Sequence, residues 1–327
     1  MTKLMSDNLF RIFATAILIL GVTSIQGHVS EPDTIFQKVN DSVSSAPDTS
    51  CYVKQRRYLP AVVTAEASLY VVSLAGLWSM WYKDYPQSHF HFFNDNDEWL
   101  QIDKAGHFVT SYYISRLTSY SVEWAGMSHR NSVWYGGIAG FTYMTTIEIL
   151  DGFSSEWGAS AGDLTANTFG AILFIGQELL WKDQRITLKY SWHPTKYADY
   201  RPDILGRNTF QQMVKDYNGT TLWASGNLYA FGAGRSWIPR WINIAVGYGA
   251  EGMTGAVENS TSYEGKPIPH FDRTRQFYLT FDVDLTRIPV KAKWLKLLFN
   301  TIGFLKIPAP ALEINTGGHI VFHPLYF

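Results

Sequence analysis

Four apolar, helix-length runs follow one another between Ala61 and Trp181, and the polar residues inside them fall at one-turn spacing. The runs cover about Ala61–Tyr82, Lys104–Trp124, Val133–Leu150 and Ala161–Trp181. Asp103 and His107 are four apart, Glu148 and Asp151 three apart, and Asp163 and Asn167 four apart. On helices each pair projects from one face, so a bundle can bring all three pairs to a single polar site. Four helices packed as a bundle are the simplest assembly. The last two runs are rich in Gly, Ala, Ser and Thr, which lets backbones approach closely. The first is long enough to cross a bilayer and is flanked by Arg56-Arg57 and Lys83-Asp84. Arg116 must face the bundle interior or water, because an arginine exposed to lipid at mid-depth costs about 2.5–3.5 kcal/mol. Trp78, Trp81, Tyr82, Trp124, Trp134, Tyr135 and Trp181 lie at run ends, as rings of a membrane interface do. The expectation is a membrane-associated bundle.

Around the bundle the chain divides by composition. Residues 1–27 read as a secretory signal peptide, with Lys3 and Arg11 before the apolar run 12–25 and small residues at Ser24 and Gly27. Residues 28–58 are polar and aperiodic, a disordered extension. Residues 59–182 hold the bundle, and residues 183–220 form a Tyr- and Pro-rich connecting segment. Residues 221–327 read as an antiparallel β domain. There Ile242, Ile244, Val246 and Tyr248 mark one strand, while Phe277, Leu279, Phe281 and Val283 alternate with Tyr278, Thr280, Asp282 and Asp284. Weaker strand signals cover Leu222–Phe231, Ala311–Asn315 and His319–Phe322, and Lys291–Leu305 reads as an amphipathic helix. The fold class is thus α+β: an N-terminal four-helix bundle followed by a small antiparallel sheet with one amphipathic helix. The ending Leu325-Tyr326-Phe327 is like the last strand of an outer-membrane barrel, but such a barrel needs about eight strands.

Charge and cysteine content remove several classes. The 27 basic and 28 acidic residues cancel, so no global field attracts nucleic acid. The single cysteine, Cys51, excludes an intrachain disulfide, and it lies too far from the leader's end for lipid attachment there.

Each polar residue has a bland reading beside a chemical one. Asp103 stands where an N-cap belongs, yet with His107 it can ligate a cation or orient the imidazole as a base. Lys104 can meet phosphate as a point charge. Ser160-Ala161-Gly162-Asp163 is a capping-box arrangement, and the amide of Asn167, one turn further in, demands partners inside an apolar helix. Glu148 sits near a helix C-terminus, where the macrodipole disfavours an anion, so a proton, a cation, Lys or Arg should compensate it. Asp151 before Gly152 ends the helix. A di-iron bundle would need two Glu-x-x-His elements, which are absent. Gly158-Ala159-Ser160-Ala161-Gly162 has no preceding strand and is no nucleophile elbow. Asp95-Asn96-Asp97-Glu98 lacks a calcium loop's glycine and reads as a solvated turn.

The combination of Asp103, Lys104, His107, Phe108, Glu148, Ser160, Asp163 and Asn167, over roughly residues 100–182, resembles the YfiM-like bacterial envelope proteins and more distantly the VanZ-like membrane proteins. The VanZ-like pattern carries a Gln and an Arg after its Glu, where this chain has Asp151 and no arginine before Asp163. The resemblance implies an envelope location, a VanZ-like bundle and a periplasmic lipoprotein type. It supplies no reaction.

The reading that follows is an exported protein on the periplasmic side of the bacterial envelope. Its polar site would bind a cation or the head group of a membrane lipid or envelope glycan-lipid, with Lys104, Asn167 and Ser160 as ligand-binding residues. The rival is a metal-assisted hydrolase of a lipid-like phosphate or glycan, with Asp103, His107, Glu148 and Asp163 as catalytic groups. Asp103, His107 and Glu148 are the candidate ligands of a divalent metal ion. A third reading is structural, with the sheet contacting an envelope protein partner.

Overall fold

A computed structural model describes residues 56–83, 85–232 and 238–326. The signal peptide, Cys51 and all but the end of the N-terminal extension lie outside the described residues. Helix α1 (Leu59–Leu77) continues as a π-helical turn through Tyr82. Helices α2 (Ile102–Trp124), α3 (His129–Gly152) and α4 (Ala161–Trp181) follow. Strand β1 (Ile186–Trp192) and the short helices α5 (Pro202–Leu205) and α6 (Thr209–Lys215) lead to β2 (Thr220–Asn227) and β3 (Ile242–Glu251). A small hairpin, β4 (Ser262–Tyr263) and β5 (Lys266–Pro267), precedes β6 (Thr274–Val283). Helix α7 (Lys293–Ile302), β7 (Ala309–Asn315) and β8 (Ile320–Tyr326) complete the described chain. The main sheet runs β1-β2-β3-β6-β7-β8 with antiparallel neighbours throughout, so the protein is α+β.

Small residues set the helix spacing. A Cβ at Gly140 on α3 would come within 2.2 Å of Ser115 Oγ and 2.6 Å of the Ser111 carbonyl on α2. The buried Ser115 hydroxyl turns onto its own helix, donating to the Ser111 carbonyl at 2.7 Å, while the Ser111 hydroxyl donates to the Asn167 carbonyl of α4 at 2.7 Å. Helix α1 buries no residue. It leans on α3 through the hydroxyls of Tyr70 and Thr146, 2.5 Å apart, and the Tyr143 hydroxyl, which donates to Ser73 at 3.0 Å. Arg116 turns its guanidinium over the Tyr120 ring on its own helix, 5.5 Å from the centroid.

Bundle and sheet share one apolar core of Val109, Tyr112, Val133 and Phe174 with Leu188 of β1 and Leu222 of β2. Gln177 of α4 extends that junction as a backbone would: its Nε2 donates to the Ile186 carbonyl at 3.0 Å and its Oε1 accepts the Ile186 N–H at 2.8 Å. The stretch 183–220 therefore does more than connect, since it supplies β1, two helices and Tyr217. Its strand was masked by Lys189, which stands among Ile186, Leu188 and Tyr190 yet is buried in an ion pair with Asp282 at 2.7 Å. Asp103 does not cap α2. The cap position is Gln101, in a left-handed conformation, and Asp103 lies within the first turn.

Candidate functional site

Three helices bring their polar pairs together as the spacing implied. The N-terminus of α2 carries Asp103, Lys104 and His107, the C-terminal turns of α3 carry Glu148 and Asp151, and the N-terminus of α4 carries Asp163 and Asn167. His107 Nδ1 lies 3.2 Å from Asn167 Oδ1 and 3.4 Å from Glu148 Oε1. The contact with Asn167 is a hydrogen bond, whereas Glu148 Oε1 stands near the ring without one. Nε2 faces Asp103 Oδ2 at 4.0 Å.

Ser160 caps α4, its Oγ accepting the Asp163 N–H at 3.1 Å. The reciprocal half of a capping box comes from another helix: Glu148 Oε2 accepts the Ser160 N–H at 3.0 Å. This bond gives the Glu148 carboxylate one partner at a helix end that disfavours an anion. Lys104 Nζ bridges Asp95 Oδ1 at 2.7 Å and Asp163 Oδ1 at 3.2 Å. Gly162 leaves room for this bridge, because a Cβ there would meet Lys104 Cε at 2.8 Å. The ammonium expected to meet phosphate is thus held by two carboxylates. Asp151 accepts the Tyr82 hydroxyl at 2.6 Å rather than merely ending α3.

Two contributors escaped the one-turn spacing. Asp95, read as part of a solvated turn, belongs to the site: it accepts the Ser160 hydroxyl at 2.5 Å as well as Lys104. The segment before α2 carries it there by running along the α3–α4 loop, with His91 N–H on the Gly152 carbonyl at 2.9 Å and Ala159 N–H on the His91 carbonyl at 3.0 Å. Burial alone would raise the Asp95 carboxyl, but hydrogen bonds with Asp163, Lys104 and Ser160 outweigh it and hold the group below the usual carboxylate range. Glu98, three residues on, goes the other way, raised by burial and by the charges of Asp95 and Asp103. The second contributor is Tyr217, whose hydroxyl donates to Asp103 Oδ1 at 2.7 Å from just before β2. The sequence signal for Asp95 was the acidic run Asp95-Asn96-Asp97-Glu98 shortly before α2, and Tyr217 had none.

The turn entering α2 is unusual. Trp99, Leu100 and Gln101 have φ of 46°, 50° and 64°, three successive non-glycine residues in the left-handed region. Groups from the sheet side hold it. Trp99 N–H donates to the Ala256 carbonyl at 2.7 Å, the Tyr248 hydroxyl donates to the Leu100 carbonyl, and Arg275 Nη2 donates to Gln101 Oε1 at 2.7 Å.

One ligand atom each from Asp103, His107 and Asp163 lies within 4.8 Å of the others. Beside them Glu148 Oε1 and Asn167 Nδ2 are buried without a hydrogen-bond partner. Buried polar atoms left unpaired are costly, and here both border the group that could hold a cation. Residues 91–175 match the family described as predicted periplasmic lipoprotein (DUF2279). The matched span contains Asp95, Asp103, Lys104, His107, Glu148, Ser160, Asp163 and Asn167, and leaves out Tyr217 and the sheet. The protein is an exported protein of the bacterial cell envelope on its periplasmic side. No curated protein and no solved structure matches the chain.

Proposed function

We propose that the protein holds a divalent cation at Asp103, His107 and Asp163 and uses it to bind the phosphate of a lipid or glycan-lipid head group in the envelope. The observation that carries this reading is the state of His107. Its Nδ1 is hydrogen-bonded to Asn167 with Glu148 Oε1 3.4 Å away, and its Nε2 faces Asp103. Metal-ligating histidines have this arrangement, with the second nitrogen donating to an oxygen behind the ring. Ligands of one small cation, each at about 2.0–2.2 Å, lie no more than about 4 Å apart. The 4.8 Å limit here needs only a modest side-chain contraction. An ionised carboxylate has about four acceptor sites, so Asp163 can keep Lys104 and still turn an oxygen to the ion. Three protein ligands leave positions open, and a phosphate oxygen suits one of them. The open position is also what favours the second reading, hydrolysis of the bound ester by a metal-held water.

The test is calorimetry and thermal denaturation of the detergent-solubilised full chain with Zn²⁺, Mn²⁺ or Mg²⁺ alone. Saturation at about 100 times Kd should add about 2.7 kcal/mol of stability. Asp103→Asn, His107→Ala and Asp163→Asn should fold and lose that gain, and Asp97→Asn should keep it. Wild-type protein that binds none of the ions, or three variants that bind undiminished, would overturn the assignment.

A further inference from the structure

The sheet is built with its polarity reversed. Along β6 the outward residues are Phe277, Leu279 and Phe281, while Gln276, Tyr278, Thr280 and Asp282 point inward. It is the polar set that is buried: Phe281 is 65% exposed and its neighbour Asp282 2%. Strand register spreads the pattern sideways. Val246 pairs with Leu279, Leu279 with Leu312 and Leu312 with Phe322, and a second row runs from Phe277 through Ile314 to Ile320.

The inward side is a polar trough. Lys189 and Lys306 both reach Asp282, at 2.7 and 3.5 Å. The rings of Trp223 on β2 and Tyr326 on β8 approach to 5.9 Å between centroids, and the Thr221 and Tyr326 hydroxyls are 3.0 Å apart. Contact between the second and the sixth strand in sheet order means that the sheet curls strongly, with its apolar face convex. Residues 304–306 meet the outer edge of β1, with the Tyr190 N–H on the Phe304 carbonyl and the Lys306 N–H on the Tyr190 carbonyl, both at 2.9 Å.

In water an antiparallel sheet buries its apolar face and solvates the polar one. Here charges are enclosed and four strands of Phe, Leu, Ile and Val are bare, an order unfavourable on both faces in water and favourable against hydrocarbon. The helices repeat it: Ser111, Ser115 and Ser119 are buried while Ile138, Phe141, Ile172 and Leu180 are exposed. Helix α1 is long and apolar enough to cross a membrane and has no fully buried residue. From Phe277 to Val283 the wall rises about 20 Å, close to the roughly 25 Å apolar band of membrane strands.

We propose that the convex face of β3, β6, β7 and β8 is a lipid-facing surface, so that bundle and sheet form one membrane-embedded wall covered by acyl chains. This rests on polarity alone and is independent of the cation site. The test places a nitroxide at Val246→Cys, Leu279→Cys and Leu312→Cys, each in a Cys51→Ser background, in vesicles of phosphatidylethanolamine and phosphatidylglycerol. A label at Glu264→Cys in the exposed β4–β5 turn serves as reference. Dissolved oxygen should relax the three sheet labels several-fold more than a water-soluble nickel chelate does, with the order reversed at residue 264. Nickel access at the sheet labels would mean that the face is in water, and shielding from both reagents would mean that a second protein surface covers it; either result overturns the proposal. Three separate positions keep the test decisive if one variant fails to fold.

Discussion

His107 is the residue on which the site turns, because the partners on one nitrogen decide what the other nitrogen can do. Glu148 Oε1 stands 3.4 Å behind it while Oε2 accepts the Ser160 N–H, so Glu148→Gln should leave the fold intact. Loss of such a supporting partner typically weakens metal binding 10–100-fold, and titration calorimetry with Zn²⁺ would measure it. A variant binding as wild type would detach Glu148 from the imidazole's role. Lys104 makes a separate prediction. Its removal in Lys104→Met strands the largely buried carboxylates of Asp95 and Asp163, a change that costs about 3–5 kcal/mol where pairs are buried. Urea denaturation should show most of that loss, and a shift below about 1 kcal/mol would mean that water screens the bridge. The chain announced His107, Glu148 and Asn167 because one-turn spacing is visible in a helix. Asp95 and Tyr217 were not visible, because they reach Ser160 and Asp103 across 65 and 114 positions of chain.

Among the elements, the helices were the most legible. The boundaries of α2, α3 and α4 fall within a few residues of the apolar runs, since long periodic segments report their own structure. The strands were legible where alternation was clean, in β3 and β6, and obscure in β1, where a buried lysine imitates a solvent-facing one. The close crossing of α2 and α3 yields a direct test. Gly140→Ala places a methyl where only 2.2 Å separates it from Ser115 Oγ, and overpacking of this kind costs about 1–3 kcal/mol. Gly176→Ala on α4 meets nothing within 4 Å and should instead stabilise by roughly 0.5–1 kcal/mol through helix propensity. Thermal melts of the two variants should move in opposite directions. If both rise, the helices have slack that the geometry denies.

For the molecule as a whole, the bundle carries the ligands and the sheet holds the turn that aims two of them. A left-handed non-glycine residue costs roughly 1–2 kcal/mol, so the run from Trp99 to Gln101 persists because Ala256, Tyr248 and Arg275 grip it. Tyr248→Phe and Arg275→Met each remove one grip of about 1 kcal/mol. Each should therefore lower Zn²⁺ affinity about fivefold without touching a ligand, and unchanged affinity would show that α2 starts correctly by itself. That grip also sets an order of events in time. A secreted chain is delivered from its N-terminus, so the three helices can pair as soon as Trp181 has emerged, with every proposed ligand already in hand. The clamp on residues 99–101 comes from residues 248, 256 and 275, which arrive much later. Residues 99–101, delivered ahead of every proposed ligand, are the last to be set in place, and a chain halted after the bundle would hold all the chemistry and none of its aim.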